Sequence, residues 1–179
     1  MALYLTHNLE YHGEGRTCNH IINNARALLF AGALLSEKYF IDIAKSILRS
    51  NLPELVTVDG FLREGSSHYQ YIFSRWILEI KWLSNLIDNK EIHSFITPFA
   101  NSVVKQCLFF NVEDTVDNKS TIPLIGDVSP DYPVSWLISL PYSKMANINN
   151  NNVKIKHKKT IDNDWASILN KKPELFNDD

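Results

Sequence analysis

Four consecutive segments of this chain repeat apolar residues at every third or fourth position, the spacing that aligns side chains along one face of an α-helix. The segments cover residues 18–36, 37–49, 66–88 and 91–111. This half of the chain has no useful run of alternating apolar and polar residues, which is the pattern of a half-buried strand. The sequence therefore predicts an all-α fold, with neighbouring helices joined as antiparallel hairpins.

Particular residues predict where these helices begin and end. Thr17 is of a type that caps helix N-termini, and it stands just before the second helix. Pro53 has no backbone N–H to donate, so it predicts that the third helix has already ended. Pro98 predicts a late start or a kink in the fifth helix. A short first helix is expected over residues 3–11, and an extended or irregular connector over residues 55–62.

The C-terminal third has a different character. Residues 122–136 contain three prolines and one glycine, which predicts an irregular but ordered loop with apolar anchors. Residues 147–179 begin with an asparagine tract and a lysine-rich run, typical of a mobile polar and basic tail with room for one short helix. We therefore divide the chain into a helical region, 1–113, a proline-rich loop region, 114–146, and the tail.

Composition excludes several classes of partner. The chain has 179 residues, of which 45% are hydrophobic, enough for the core of one ordinary domain. A net charge of -2 gives no overall attraction to nucleic acid or anionic lipid, so neither is an expected partner. No basic leader is present, and the most apolar run, residues 25–35, is short for a bilayer, so neither signal peptide nor membrane segment is expected. Cys18 and Cys107 lack the spacing of a zinc or redox site, although a structural disulfide stays open.

Residues 59–71, DGFLREGSSHYQY, are the first candidate for a functional site. They combine a tight Asp-Gly turn with the Gly-Ser-Ser start of the fourth helix, and polar side chains follow in its first turns. A helix start presents backbone N–H groups and a positive dipole end, so polar residues placed there can meet an anionic ligand. For Asp59 and Gly60, turn chemistry alone is the simpler interpretation.

Three motifs in a fixed order carry a resemblance to a known family. They are Asn19-His20 followed by INNARALLFAGAL, then DGFLREGSSHYQY, then PLIGDVSPDYPVSWL. Over roughly residues 3–140 the chain resembles the heparinase II/III-like polysaccharide lyases and their relatives near surface-polysaccharide loci. The resemblance implies an incomplete (α/α) toroid of helical hairpins around a cleft, followed by an antiparallel β-sandwich domain. It also implies that this chain is a fragment lacking that sandwich, from the bacterial cytoplasm or periplasm.

The resemblance further implies a carbon–oxygen lyase that cleaves an acidic, uronic-acid polysaccharide by β-elimination, without a cofactor or metal. Such an enzyme must neutralise the substrate carboxylate, remove the weakly acidic C5 proton and protonate the departing glycosidic oxygen. By the family pattern, Asn19 binds and polarises the substrate carboxylate, and Tyr69 is the acid/base catalyst. His20 assists, either through a hydrogen bond or as a base.

Residues next to Tyr69 in sequence are the candidate substrate-binding groups: Arg63, Glu64, His68 and Gln70. Arg63 is the nearest cation, and Glu64 could orient either Arg63 or Tyr69. Family members often have tyrosine followed by histidine, whereas this chain has Gln70, which cannot titrate. His68 could take over the part in proton transfer that this histidine has in the family.

Each candidate also has a purely structural interpretation. Tyr69 fits the apolar stripe of its helix and could be a core aromatic. His20 could be a buried histidine bonded to a backbone carbonyl, and Asn19 could cap its helix. Arg63 and Glu64 could pair with each other or with solvent. A second function class is therefore a non-catalytic remnant or glycan-binding module associated with surface-polysaccharide (O-antigen or capsule) biosynthesis.

A metal site near the N-terminus is the weakest of these possibilities. Glu10 lies between His7 and His12 at a spacing that could suit a metal ion. No further convergent ligand is visible in the sequence, so ordinary surface exposure is the favoured interpretation.

Overall fold

A computed structural model describes residues 1–13, 17–113 and 120–128 of the chain. The described part is helical, which confirms the predicted all-α class. Two strands of two residues each, β1 (Val112–Glu113) and β2 (Ser120–Thr121), pair antiparallel after the last helix. The helices are α1 (Ala2–His7), α2 (His20–Leu35), α3 (Lys38–Leu55), α4 (Ser67–Leu86) and α5 (Lys90–Phe109).

The helices pack as two antiparallel hairpins, α2 with α3 and α4 with α5, and α2 also packs on α4. Gly32 allows the first hairpin to close, because a Cβ atom there would lie 2.6 Å from Cγ1 of Ile41 on α3. At the second hairpin, the side chain of Asn89 accepts a hydrogen bond from the backbone N–H of Ile92 and caps α5.

The core is continuous through both hairpins and is formed mainly by the apolar stripes of α2, α3, α4 and α5. Burial of this surface is the main source of stability for such helices, since isolated helices of this length are marginal in water. The largest fully buried side chains are Tyr71, Phe73, Ile21, Ile22, Leu28, Leu29, Leu48, Leu52, Ile77, Leu78, Ile80 and Ile92.

The helix boundaries predicted at Pro53 and at Thr17 are wrong. Pro53 lies inside α3, which continues to Leu55. A proline in the last turn removes only one backbone hydrogen bond, so the helix can end just beyond it rather than before it. Thr17 does not cap α2; its hydroxyl donates to the carbonyl of Gly13 at 2.9 Å, and Asn19 holds the N-cap position.

The other local predictions have mixed outcomes. Ser66 caps α4, as the Gly-Ser-Ser start suggests. The late start that Pro98 predicts for the fifth helix is wrong, because α5 begins at Lys90 and runs through Pro98. The first helix is shorter than expected, because Asn8 leaves the helical conformation at φ -134°. Predictions for residues 114–119 and 129–179, including the basic tail, lie outside the described residues. Among the helices that are described, none has the length and apolar character required to cross a membrane.

The connector between α3 and α4 is a short extended loop, as predicted. Val56 and Leu62 pair antiparallel across it, and the N–H of Thr57 donates to the carbonyl of Phe61 at 2.8 Å. Gly60, in the Asp-Gly turn, has φ +94° and sits against α5, where a Cβ atom would lie 2.5 Å from the carbonyl oxygen of Ser102. Only glycine fits both constraints.

Gly60→Ala should lower the free energy of unfolding by roughly 2 kcal/mol more than Gly65→Ala. Both changes force a side chain into left-handed backbone, at φ +94° and +68°, which alone costs about 1 kcal/mol. Only at Gly60 does the new Cβ also meet a carbonyl, since nothing lies within 4 Å of a Cβ at Gly65. Urea midpoints at an unchanged m-value measure the difference. Equal losses would mean that the connector does not pack on α5 in this way.

Candidate functional site

The backbone N–H groups at the start of α4 are bonded by other groups of this chain. The Ser66 hydroxyl accepts the N–H of Tyr69 at 3.0 Å and donates to the carbonyl of Asp127. The N–H of Ser67 donates to the carbonyl of Ile125 at 3.1 Å. Residues 123–127 therefore lie over this helix start, and these N–H groups are satisfied internally instead of being offered to an anion.

The start of α2 binds a carboxylate that comes from the loop before α4. The backbone N–H of Asn19 donates to Oε1 of Glu64 at 2.7 Å, and its side-chain Nδ2 donates to Oε2 at 2.5 Å. The negative charge of Glu64 thus lies at the positive end of the α2 dipole. Because Glu64 precedes α4 closely, this contact holds two helix starts together across 45 residues of sequence.

Asn19 is buried at 2% exposure, and only part of its amide is satisfied. Its Oδ1 has no hydrogen-bond donor among the residues that the structure describes. Exchanging the amide oxygen and nitrogen would place oxygen against the Glu64 carboxylate, so the observed orientation is the favourable one. The unsatisfied atom of Asn19 is therefore an acceptor.

His20 is held by a second carboxylate and is not buried. Its Nδ1 lies 2.9 Å from Oε1 of Glu10, and its side chain is 53% exposed. Asn24 holds Glu10 at two points: Nδ2 donates to Oε2 at 3.0 Å, and Oδ1 accepts the Glu10 backbone N–H at 2.9 Å. The hydrogen bond from His20 is the main cause that lowers the pKa of Glu10 below its usual value. Glu10 is thus a carboxylate in neutral solution.

Three adjacent residues of α4 have different surroundings. Tyr69 is half-buried and packs at the margin of the core, while His68 is buried at 3% exposure. Gln70 is also buried: its Oε1 accepts the N–H of Leu62 at 2.7 Å, and its Nε2 donates to the carbonyls of Gly60 and Val103 at 3.0 Å each. A substrate could reach Gln70 only by breaking these bonds, and its substrate-binding role stays a prediction.

Arg63 and Glu64 do not pair with each other. Arg63 is exposed and approaches Glu54, with Nη1 3.6 Å from Oε2, while Glu64 binds Asn19. An exposed pair at this distance contributes under about 1 kcal/mol, so Arg63 keeps its capacity to meet an anion.

The two cysteines are free thiols, which answers the open question of a disulfide. Cys107 lies in the core beside the Ser74 hydroxyl, and burial raises the pKa of its thiol to about 12. The Tyr71 hydroxyl donates to the Cys107 carbonyl at 2.6 Å, and burial raises the pKa of this phenol as well. Both groups therefore stay protonated in neutral solution and serve the packing of α4 on α5.

A partly buried ion pair joins α2 and α4. Nη1 of Arg26 lies 3.2 Å from Oε2 of Glu79. The Arg26 guanidinium also lies over the Trp76 ring, 5.6 Å from the ring centre. Burial raises the pKa of Glu79, and the charges of Arg26 and Arg75 oppose that shift. Within residues 1–13, 17–113 and 120–128, no group of three or more potential ligand residues could hold a metal ion.

Comparison with protein-family models, curated proteins and solved structures gave no match. The geometry brings Asn19 to Glu64 and His20 to Glu10. The contact of His20 with Glu10, and of Glu10 with Asn24, could not be predicted from the sequence, in which the only signal is that Asn24 follows His20 by one helical turn. The contact of Glu64 with Asn19 could not be predicted either, since the two residues lie in different elements.

Glu64→Ala should lower the free energy of unfolding by about 1–3 kcal/mol, because it removes the acceptor of two buried N–H donors. In a double-mutant cycle with Asn19→Ala, we expect a coupling energy of roughly 1 kcal/mol. Glu54→Ala is the matched control, because it removes an equally charged residue that meets only the exposed Arg63, at 3.6 Å, and it should change stability by less than about 0.5 kcal/mol. Denaturant unfolding of the four cycle members measures the coupling. A value near zero would mean that the two side chains do not interact.

Proposed function

We propose that this chain is the helical part of a carbon–oxygen lyase, similar to the heparinase II/III-like polysaccharide lyases, that acts on a uronic-acid polysaccharide by β-elimination. The α2–α3 and α4–α5 hairpins are then consecutive hairpins of an incomplete (α/α) toroid. The proposal rests on the three sequence motifs and on one geometric observation, the carboxylate held at the start of α2.

That observation supports a uronate ligand because Asn19 already binds a carboxylate. Two N–H donors, one from the backbone and one from the side chain, reach the two oxygens of Glu64 at 2.7 and 2.5 Å. A substrate carboxylate has the same planar shape and charge. We infer that the C6 carboxylate of a uronic acid takes the place of Glu64, which neutralises the charge that opposes loss of the C5 proton.

The remaining roles follow the family pattern. His20 stands beside Asn19 with its imidazole exposed, and Tyr69 lies in the first turn of α4, close in sequence to Glu64. In this proposal Tyr69 supplies a proton to the departing glycosidic oxygen. Displacement of Glu64 costs free energy before chemistry begins, so turnover is expected to be slow.

A specific test compares two tyrosines of the same helix. Incubation with uronic-acid glycans should yield a slow rise in the ultraviolet absorbance of the unsaturated product. Tyr69→Phe should reduce this rate at least about 100-fold, the usual size of a general acid contribution. Tyr71→Phe is the matched control: it removes a buried hydroxyl bonded to the Cys107 carbonyl, costs about 1 kcal/mol of stability and leaves the rate unchanged. Equal rates for wild type and Tyr69→Phe would contradict the proposal.

A second candidate function is a glycan-binding module that does not cleave its ligand, associated with surface-polysaccharide biosynthesis. Gln70 favours it, because this residue stands where related lyases often have histidine, and its amide is committed to three backbone partners. Calorimetry with the same glycans distinguishes the two. Binding without any absorbance change supports the module, and an absorbance rise that depends on Tyr69 supports the lyase.

A further inference from the structure

We propose that Glu10 and Asn24 are positioning residues that fix the His20 imidazole with Nδ1 protonated and Nε2 as the proton acceptor of the site. This inference deepens the proposed function by naming the base, and it rests on that function for its chemical step. The tautomer itself can be measured without any turnover.

The side chains of Asn24, Glu10 and His20 are connected in that order: Asn24 holds Glu10, and Glu10 contacts His20. His20 begins α2, and Asn24 follows one turn later on the same face, so both can reach a residue that crosses that face. Glu10 is that residue: one carboxylate oxygen meets His20 at 2.9 Å and the other meets Asn24 at 3.0 Å. The backbone N–H of Glu10 also donates to Asn24, which is buried at 8% exposure. Glu10 is therefore held at main chain and side chain.

The chemistry of the pair determines which ring nitrogen carries the proton. An ionised carboxylate can only accept hydrogen bonds, so Nδ1 of His20 must be the donor. In the neutral ring this leaves the lone pair on Nε2, the nitrogen that faces away from Glu10. Half of the His20 side chain is exposed, so a ligand can approach it. A histidine oriented by a carboxylate in this way is the arrangement that general bases use.

The chemical step can be written with this base. The Nε2 lone pair takes the C5 proton, and the electrons of that C–H bond form the double bond between C4 and C5. The bond from C4 to the glycosidic oxygen breaks, and its electron pair leaves with the oxygen, which receives the phenolic proton of Tyr69. The Glu10 carboxylate stabilises the imidazolium that results, and solvent returns the two side chains to their starting states.

The test is long-range proton–nitrogen NMR of histidine-labelled protein at about pH 8, where an ordinary histidine is neutral. Wild-type His20 should show a protonated Nδ1 and a bare Nε2. Glu10→Ala should abolish this pattern and leave the mixed tautomers of a histidine without a fixed partner, and Asn24→Ala should weaken it. Glu37→Ala is the matched control, because it removes one exposed carboxylate elsewhere and should leave the His20 signals unchanged. Circular dichroism confirms that each variant is folded.

Activity on uronic-acid glycans separates this inference from the proposed function. With turnover present, Glu10→Ala should lower kcat about tenfold or more and change KM by less than about twofold, because Glu10 acts through His20. The predicted tautomer without any turnover supports the positioning role and counts against the lyase. Two results overturn the positioning role, whether or not the chain cleaves glycans. One is a wild-type His20 with its proton on Nε2, and the other is a His20 tautomer pattern that Glu10→Ala leaves unchanged.

Discussion

The Glu64 carboxylate between the two N–H donors of Asn19 is the contact on which this end of the molecule depends. It satisfies the first free N–H of α2, places a negative charge at the positive end of that helix, and fixes the loop before α4 against it. A bidentate, charge-assisted contact determines which residues of the two helix starts face each other.

The unpaired N–H groups at the starts of α2 and α4 are satisfied by different chemical groups. At α4 a local serine and a carbonyl of the later segment bind the N–H groups, so no charge is needed. At α2 the cap is a carboxylate from a distant loop, and Oδ1 of Asn19 stays buried without a donor in the described part of the chain. A buried acceptor of this kind costs about 1–3 kcal/mol.

The sequence predicts the helices better than the contacts between them. The apolar spacing identifies the helices of both hairpins, and Ser66 marks the beginning of α4, because these signals are local. The end of α3 predicted from Pro53 is wrong, since a proline in the last turn of a helix removes only one backbone hydrogen bond and need not end the helix before it. The partners of Asn19 and His20 could not be predicted: Glu64 and Glu10 lie 45 and 10 residues away, and no periodicity relates positions in separate elements.

The most direct measurement is hydrogen exchange of the Asn19 backbone amide, followed by NMR in the wild type and in Glu64→Gln. The N–H of a residue at the start of a helix, the N-cap position that Asn19 holds, ordinarily exchanges quickly, because it has no partner within the helix. With the carboxylate bound, we expect the Asn19 amide to be protected and the protection to fall at least several-fold in the variant. Rapid exchange in the wild type, or equal rates in both proteins, would contradict the account.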